Sequence, residues 1–398
     1  MYDIIVVGGG LAGASIAKVM AENGLRVLVL ERERQFKDRV RGEGIFQWGV
    51  ADLKELGLYQ LLVDGCAREV PWFDTYLGGE RIGHRNLVTS TPQETAGLNW
   101  IHHEMEEVLL AAAERAGADV RRGARASTVK PGELPSVCIE YEQRSEELSA
   151  RLVVCADGRG SLGRRWGDFR VRQDTYGMLI AGLLCERMPK VPEDTNCWLM
   201  NPECGRYAFL CPQGQGRVRT YVFHPKNENY RFQGFGDLPR FVEDALGAGV
   251  PTEWIAQSKP IGPLSTFDGA DSWVDHPYKN GVALIGDAAA SNDPSYGQGQ
   301  CLAIRDVRVL RDFLLANDDW DRAGHLFASA HDRYYGALHK FEGWVYQLFY
   351  ETGPEADVRR ARAFPLLGEE PTRMPDAFFT GPEVPLGETV RRRFFGED

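Results

Sequence analysis

The stretch IIVVGGGLAGAS, Ile4–Ser15, decides how the chain begins to fold. Ile4–Val7 is a short apolar run, typical of a buried parallel strand, and it leads directly into a run of glycines. Apolar residues at helical spacing follow, and Asn23–Gly24 provides the signal that ends a helix. The run RVLVL then predicts a second strand that ends at Glu31. The sequence therefore predicts a strand, a tight turn, a helix and a strand at the start of the chain.

The glycine spacing in this unit has a chemical meaning. Gly8 permits the tight turn, Gly10 lets a pyrophosphate approach the backbone, and Gly13 lets the helix pack closely on the strand. Glu31 lies at the spacing where a carboxylate accepts hydrogen bonds from adenosine ribose hydroxyls. We predict a dinucleotide site; the alternative is a glycine-rich turn in an unrelated α/β protein. The predicted contacts of this unit are Gly8, Gly10, Leu11, Ala12, Gly13, Glu31 and Arg32.

Composition limits the class of protein. A chain of 398 residues with 43% hydrophobic and 26% charged residues can bury a large core, and we expect two closely packed domains. The net charge of -11 argues against a nucleic-acid partner. Eight cysteines without a C-x-x-C pair indicate neither a zinc site nor a disulfide framework. The first apolar run has no basic leader and is broken by glycines, so we expect a cytoplasmic protein with no metal and no membrane partner.

Two later stretches have the composition of a cofactor site. The apolar strand GVALIGD runs into the glycine-rich segment GDAAASNDPSYGQGQ, Gly286–Gln300. A second buried strand, in ARLVVCADGRGSLGRR, ends in a polar turn that contains Asp157 and is followed by Arg164. Both strands are predicted to join the first two in one mostly parallel sheet.

The three stretches together resemble the flavoprotein monooxygenases of the p-hydroxybenzoate hydroxylase type, in order and in spacing. The resemblance implies an α/β fold, with a Rossmann-like FAD-binding domain of mostly parallel sheet at 1–70, 100–170 and 277–350. The strand-like runs YAFLC, RVRTYVF and MLIAGLLC, divided by turn residues, predict a mostly antiparallel substrate-binding sheet domain from 71–99 and 171–276. C-terminal helices precede a tail, 351–398, which we expect to wrap the surface.

The resemblance implies one non-covalent FAD, extended between the two glycine-rich loops. Asp287 would accept a hydrogen bond from a ribityl hydroxyl, with a helix N-cap as the alternative role. The loop Pro294–Gly299 would pass against the flavin, where side chains would collide with the ring. A helix that starts near Gly299 would stabilise the anionic reduced flavin. The further residues implied at the cofactor are Arg41, Asp157, Gly286, Gly297 and Gln298. A solvated charge at Arg41, and a structural ion pair of Asp157 with Arg164, are the alternatives.

Catalysis would depend on the flavin loop, and we assign it to Pro294, Gly297 and Gly299. Two departures from the family matter. Ala290 stands where many relatives have His, so no proton relay is assigned there. The segment WIHHE replaces an Arg or Gln near the flavin, which makes His102 a candidate for flavin contact or acid–base catalysis; a satisfied surface histidine is the alternative.

The function implied is insertion of one oxygen atom from O2 into an electron-rich small molecule, phenolic, polyketide-like or an alkene, through a flavin C4a-hydroperoxide. NADPH or NADH would bind transiently, because the chain has no second dinucleotide fingerprint; a separate flavin reductase stays open, as do monomer and homodimer. A related reductase acting on isoprenoid-type alkenes and a non-catalytic FAD-binding sensor are the alternatives. A halogenase is disfavoured because the W-x-W-x-I-P motif is absent.

Overall fold

Two large sheets and a C-terminal group of helices form the fold in the computed structural model, which describes residues 1–40, 42–228 and 230–398. In chain order the strands are β1 (Tyr2–Val7), β2 (Val27–Glu31), β3 (Gly44–Ile45), β4 (Arg68–Val70), β5 (Trp72–Leu77), β6 (Glu80–Asn86), β7 (Gly97–Asn99), β8 (Asp119–Arg122), β9 (Arg125–Lys130), β10 (Ser136–Tyr141), β11 (Arg144–Cys155), β12 (Val171–Gln173), β13 (Met178–Glu186), β14 (Thr195–Asn201), β15 (Arg206–Gly214), β16 (Arg217–Pro225), β17 (Lys259–Pro260), β18 (Ser265–Asp268), β19 (Ser272–Val274), β20 (Tyr278–Lys279), β21 (Val282–Leu284) and β22 (Ala290–Ser291).

The helices are α1 (Leu11–Glu22), α2 (Gln47–Glu55), α3 (Tyr59–Gly65), α4 (Leu87–Ser90), α5 (His102–Arg115), α6 (Gly163–Trp166), α7 (Leu238–Gly247), α8 (Thr252–Ile255), α9 (Gly299–Ala316), α10 (Trp320–Val345), α11 (Pro354–Glu369), α12 (Ala377–Thr380) and α13 (Glu388–Phe394). Single helical turns occur at Lys226–Glu228, Phe235–Asp237, Gly286–Ala288, Pro294–Tyr296 and Pro371–Arg373, and a π-turn at Tyr346–Tyr350 extends α10.

The first sheet has a parallel centre, in the order β21, β11, β1, β2, β8. Ile5 pairs with Val153 on one side and with Leu28 on the other. Strand β20 pairs antiparallel at one edge, and β10 pairs antiparallel with β11 and β9. Because one face packs on helices and the other on the β9–β10 layer, β1 is apolar on both sides. The carboxyl ends of β1, β11 and β21 lead into the three sequence motifs, so the topology brings the motifs to one edge.

The second sheet has the order β17, β13, β16, β15, β14, β5, β6, with β18 also paired to β13. Its neighbours are antiparallel except for β14 and β5, which run parallel. One face, with Trp198 and Tyr207, joins the main core; the other, with Leu199 and Leu210, packs with Phe241 of α7 in a separate core. The predicted fold class, a mostly parallel sheet interleaved with a mostly antiparallel one, is confirmed. The domain boundaries stay predictions.

The C-terminal segment differs from the surface wrap expected of it. Phe378, Phe394 and Phe395 are buried, and the rings of Phe378 and Phe394 lie 4.8 and 6.1 Å from that of Phe341 on α10. Large aromatic side chains gain most from leaving water, so they draw this charged, proline-rich segment into the core. The sequence pattern did not indicate this burial, because these aromatic residues stand among charged residues.

None of the helices in the described ranges combines the length and apolar character needed to cross a lipid bilayer.

Candidate active site

The glycines of the first loop serve two separate purposes. Gly8 has a φ of +102°, and a Cβ there would lie 2.4 Å from the carbonyl oxygen of Ala156. A Cβ at Gly13 would lie 1.9 Å from the carbonyl oxygen of Gly8. These two positions require glycine for the packing of strand and helix. Of the residues that the structure describes, a Cβ at Gly10 would meet the Glu106 carboxylate alone, at 3.1 Å, so Gly10 faces open space.

The N terminus of α1 opens onto that space. Gly10 is its N-cap residue, no side chain caps it, and its first turn has no acidic residue. Leu11 and Ala12 form the buried start of the helix. The free N–H groups and the helix dipole suit an anion such as a pyrophosphate.

Glu31 organises the turns around this helix end. It is buried, and its two carboxylate oxygens accept hydrogen bonds from the N–H groups of Gly9, at 2.8 Å, and Glu33, at 2.7 Å. A carboxylate has further lone pairs, so ribose hydroxyls can still be accepted. Arg32 is exposed, and its Nε lies 3.8 Å from Glu33.

The G-D loop, as we name the turn at Gly286–Asp287, is held from below by a buried acid. Gly286 has a φ of +59° and donates its N–H to Asp306 Oδ2 at 2.7 Å. Asp306 Oδ1 accepts a hydrogen bond from the Tyr334 hydroxyl and lies 2.8 Å from His331 Nδ1. This group fixes the turn from which Asp287 projects. The Asp287 carboxylate is half-buried, and its Oδ1 lies 3.9 Å from where a Cβ of Gly299 would be.

The D-G motif, as we name the turn that begins at Asp157–Gly158 and leads to Arg164, supports the G-D loop through Arg164. This buried guanidinium donates to the carbonyl oxygens of Ala288, at 2.7 Å, and Asp287, at 2.9 Å, and to both oxygens of Ser272 at 2.9 Å. Asp157 instead accepts hydrogen bonds from the turn that follows it, from Ser161 Oγ at 2.6 Å and from two N–H groups at the start of α6. Both residues therefore bond to loops, and these hydrogen bonds do not join them to each other.

The predicted flavin loop is closely packed at Gly297 and Gln298 but leaves room at its end. Pro294 is exposed, and Gly297 has a φ of +70° with Phe46 2.6 Å from where its Cβ would be. The Gln298 side chain is buried; it accepts a hydrogen bond from Trp48 Nε1 at 3.0 Å and donates to the Tyr296 carbonyl at 2.8 Å. Helix α9 begins at Gly299, as predicted, without a side-chain cap or an acidic residue in its first turn. Among the described residues outside the adjoining chain, the one neighbour within 4 Å of a Cβ at Gly299 would be Asp287 Oδ1, at 3.9 Å.

His102 is mostly buried and partnered, unlike a surface histidine. Its Nδ1 lies 3.0 Å from the carbonyl oxygen of Gly42, which also accepts hydrogen bonds from Trp100 and Gln300. Its Nε2 lies 3.3 Å from Glu106. Burial lowers the pKa of His102, but Glu106 and Glu43 outweigh burial and the net direction is upward. His102, at the start of α5, and Gln300, at the start of α9, thus meet at the Gly42 carbonyl oxygen. Arg41 lies outside the described residues.

Sequence reasoning missed a buried charged group around Asp38 and Glu43. Arg219 on β16 is 1% exposed; its Nη2 lies 2.8 Å from Asp38 and its Nε 3.0 Å from Glu43. The Tyr221 hydroxyl also donates to Glu43. Burial raises the pKa of Glu43, and the Arg219 charge opposes that rise. The signal was a pair of arginines inside the strand-like run RVRTYVF.

Buried acids lie behind the flavin loop. Asp293 Oδ1 accepts the Ser295 N–H at 2.9 Å, and the Asp293 N–H donates to Asp271 at 2.5 Å. Glu342 accepts two hydrogen bonds from Asn292. Burial, reinforced by Asp271, raises the pKa of Asp293 to about 7, and burial raises the pKa of Asp271 to about 6.

Aromatic side chains fill the space between the flavin loop, the second sheet and the C-terminal segment. Phe379 contacts Phe46 and Phe73, with ring centroids 5.3 and 4.9 Å apart, and Tyr350 contacts Tyr207 and Tyr296 at 4.7 and 5.8 Å. The aromatic cluster, as we name it, comprises Phe46, Phe73, Trp198, Tyr207, Tyr296, Phe349, Tyr350 and Phe379.

These residues fit FAD. Two helices, α1 and α9, begin without a side-chain cap at Gly10 and Gly299, where a Cβ would have room. The Asp287 carboxylate lies beside Gly299. Anionic phosphates suit the first helix end, and an electron-rich ring with a nearby polyol suits the second.

Residues 1–332 match the family described as FAD binding domain. The chain belongs to this family. Among curated relatives it is 27% identical over 328 residues to digeranylgeranylglycerophospholipid reductase of Methanosarcina acetivorans, a match that covers 75% of this chain and 71% of the relative.

Solved structures show the same fold. The pqsL protein of Pseudomonas aeruginosa, described as a probable FAD-dependent monooxygenase, has a TM-score of 0.69 at 22% identity and covers 86% of this chain and 95% of its own. The p-nitrophenol 4-monooxygenase PnpA of Pseudomonas putida has a TM-score of 0.74 at 18% identity, covering 94% and 95%. The protein therefore binds FAD and has the fold of the flavoprotein monooxygenases.

Proposed function

We propose that this protein is a monooxygenase that inserts one atom of O2 into an electron-rich aromatic or unsaturated small molecule, with NADPH or NADH as the reductant. Bound FAD supplies the activation of oxygen. The observation that carries the proposal is the uncapped start of α9 at Gly299, which opens beside Asp287 at the end of the loop that packs on the aromatic cluster.

The chain's own residues have three tasks in this proposal. The N–H groups at the start of α9 stabilise negative charge on a bound ring. Arg164 and Asp306 hold the G-D loop so that Asp287 keeps its position. The aromatic cluster excludes water and orients a flat substrate against the loop.

The proposal retains the predicted division of the chain into FAD-binding segments, 1–70, 100–170 and 277–350, and substrate-binding segments, 71–99 and 171–276. It also retains a cytoplasmic location and a small-molecule substrate. Electrons come from a transiently bound nicotinamide, or from a separate flavin reductase if neither nicotinamide reduces the protein directly.

The decisive experiment measures NAD(P)H consumption and oxygen uptake by the FAD-loaded protein over a panel of phenolic, polyketide-type and isoprenoid compounds. Mass spectrometry under isotopically labelled O2 should detect one labelled oxygen atom in a product. The Gly10→Val variant, expected to lack FAD, is the matched control. A saturated product formed without oxygen uptake would identify a reductase instead, and a flavin that no electron donor reduces would identify a sensor.

A further inference from the structure

Three buried polar side chains lie within the space that the aromatic cluster fills. Trp198 and Ser295 are each 8% exposed and Tyr350 is 1% exposed. Within the described part of the chain, Trp198 Nε1, Ser295 Oγ and the Tyr350 hydroxyl have no hydrogen-bond partner of suitable geometry. Buried donors and acceptors without partners are rare in native proteins because their desolvation is not offset.

The three groups converge although they come from separate parts of the chain. The Tyr350 ring lies 5.8 Å from that of Tyr296, the neighbour of Ser295, and the Trp198 ring lies 5.9 Å from that of Phe349, the neighbour of Tyr350. Burial raises the pKa of Tyr350, and the Ser295 and Trp198 side chains, which approach its hydroxyl, oppose that rise. Ser295 belongs to the flavin loop and Trp198 to β14, while Tyr350 ends the π-turn Tyr346–Tyr350. That turn lies beyond residue 332, where the family match ends. The Tyr207 hydroxyl holds the turn against the sheet by donating to the Phe349 carbonyl at 2.6 Å.

We propose that Trp198, Ser295 and Tyr350 together bind one oxygen atom of the substrate, an inference that rests on the proposed function. An indole N–H only donates, whereas the two hydroxyl groups donate or accept. A carbonyl or phenol oxygen satisfies all three. A hydrocarbon chain satisfies none, so this site selects against purely isoprenoid substrates.

Charge and shape define the rest of the ligand. Burial raises the pKa of Tyr350, and Asp293, one of the buried acids behind the loop, raises it further. These surroundings therefore disfavour an anion. The edge-to-face contact of Tyr207 with Tyr350, at 4.7 Å, and the Phe349 ring 5.9 Å from Trp198 favour a flat neighbour. The substrate is a neutral, flat ring system that carries a phenol or carbonyl oxygen.

Calorimetric titration tests this site on the FAD-loaded protein without reductant, with naphthol, naphthalene and naphthoate as probes. The wild type should bind naphthol more tightly than naphthalene and more tightly than naphthoate. Each of Trp198→Phe, Ser295→Ala and Tyr350→Phe should reduce the preference for naphthol over naphthalene by roughly three- to tenfold, the effect of one hydrogen bond, and leave naphthalene affinity unchanged. Trp254→Phe, on the opposite face of the second sheet, and Tyr278→Phe, whose hydroxyl bonds Asp321, should keep the full preference.

The inference is overturned if naphthol does not bind the wild type, if naphthoate binds better, or if all three variants keep the wild-type preference, which would show that water alone satisfies these groups. Oxygen uptake separates this outcome from the proposed function. Intact naphthol selectivity without oxygen transfer to any substrate refutes the monooxygenase and leaves the site standing. Oxygen transfer with unchanged selectivity in the variants refutes the site alone.

Discussion

The Arg164 guanidinium donates a hydrogen bond to the backbone carbonyl of Asp287, at 2.9 Å, across 123 residues of sequence. The arginine of the D-G motif therefore sets the backbone from which the G-D aspartate projects. Its other hydrogen bonds, to Ala288 and Ser272, fasten the same loop to β19. The two motifs act as one unit because a single forked side chain spans both loops.

Arg164→Lys should weaken FAD binding and destabilise the protein by about 2–4 kcal/mol, because lysine cannot reproduce the fork of donors to buried carbonyls. Chemical denaturation of the apoprotein and FAD titration would measure the two effects. Arg165→Lys, at the exposed neighbouring position, should change neither. Equal behaviour of the two variants would mean that Arg164 does not support the loop.

Gly10→Val should abolish most FAD binding while leaving the fold intact. In the described part of the chain, the one near neighbour of a Cβ at Gly10 is the end of the flexible Glu106 side chain, so the apoprotein should lose no more than about 1 kcal/mol. The branched side chain would occupy the space before α1, and FAD affinity should fall at least about tenfold.

Gly13→Ala provides the contrast to Gly10→Val. A Cβ there would press on the Gly8 carbonyl, so this variant should lose about 3 kcal/mol of stability even without FAD. If Gly10→Val bound stoichiometric FAD, the pyrophosphate would not lie at this helix end.

The loops and strands of the cofactor site could be predicted from sequence because each is specified locally. Glycine spacing, an acid at a strand end and an apolar run indicate Gly8–Gly13, Glu31 and the start of α9 without knowledge of the rest of the chain.

Contacts between distant segments could not be predicted in this way. Arg219 meets Glu43 across 176 positions, and no periodicity relates the two. The same holds for Ser295, Trp198 and Tyr350, which converge only after both sheets and the C-terminal segment have packed. The buried phenylalanines of the tail were hidden by the charged residues around them. Motifs that depend on neighbouring residues can be recognised in a sequence, whereas the burial of a side chain depends on the whole fold.

Asp293→Asn should change how stability depends on pH. Burial, reinforced by Asp271, raises the pKa of the Asp293 carboxyl from 3.8 to about 7, so the fold favours its protonated form. The contribution of this protonated carboxyl to the stability of the fold is fully present below pH 4 and is lost as the pH rises through about 7. Asparagine keeps an oxygen that can accept the hydrogen bond from the Ser295 N–H, but it does not ionise. The variant should therefore match the wild type near pH 4 and exceed it by about 2–4 kcal/mol at pH 8.

Urea denaturation across this pH range would measure the Asp293→Asn effect. Asp271, Glu342 and Arg159 also act on this group, so the shape of the curve reports the cluster as a whole. Asp318→Asn, at an exposed position, should give a difference that does not vary with pH. A pH-independent difference for Asp293→Asn would show that the fold does not raise the pKa of this carboxyl.

Gly299→Ala should impair oxygen transfer more than folding or FAD binding. Within the described ranges, no atom outside the adjoining chain would lie nearer than 3.9 Å to a Cβ at Gly299. Alanine also favours a helix more than glycine does, so the apoprotein should keep its stability. With FAD held through its phosphates at α1, an added methyl group at the second helix end would shift the ring and its substrate. Product formation should fall about tenfold or more, with hydrogen peroxide released in its place.

Gly297→Ala cannot serve the same purpose as Gly299→Ala. Its positive φ and the Phe46 ring, 2.6 Å from where a Cβ would lie, make it a folding variant that should lose about 1–2 kcal/mol or more. The informative measurement is thus the ratio of hydrogen peroxide to oxygenated product for FAD-loaded Gly299→Ala against the wild type. An unchanged ratio at full FAD occupancy would place the reacting ring away from the start of α9. The uncapped start of α9 beside Asp287 would then serve cofactor binding alone.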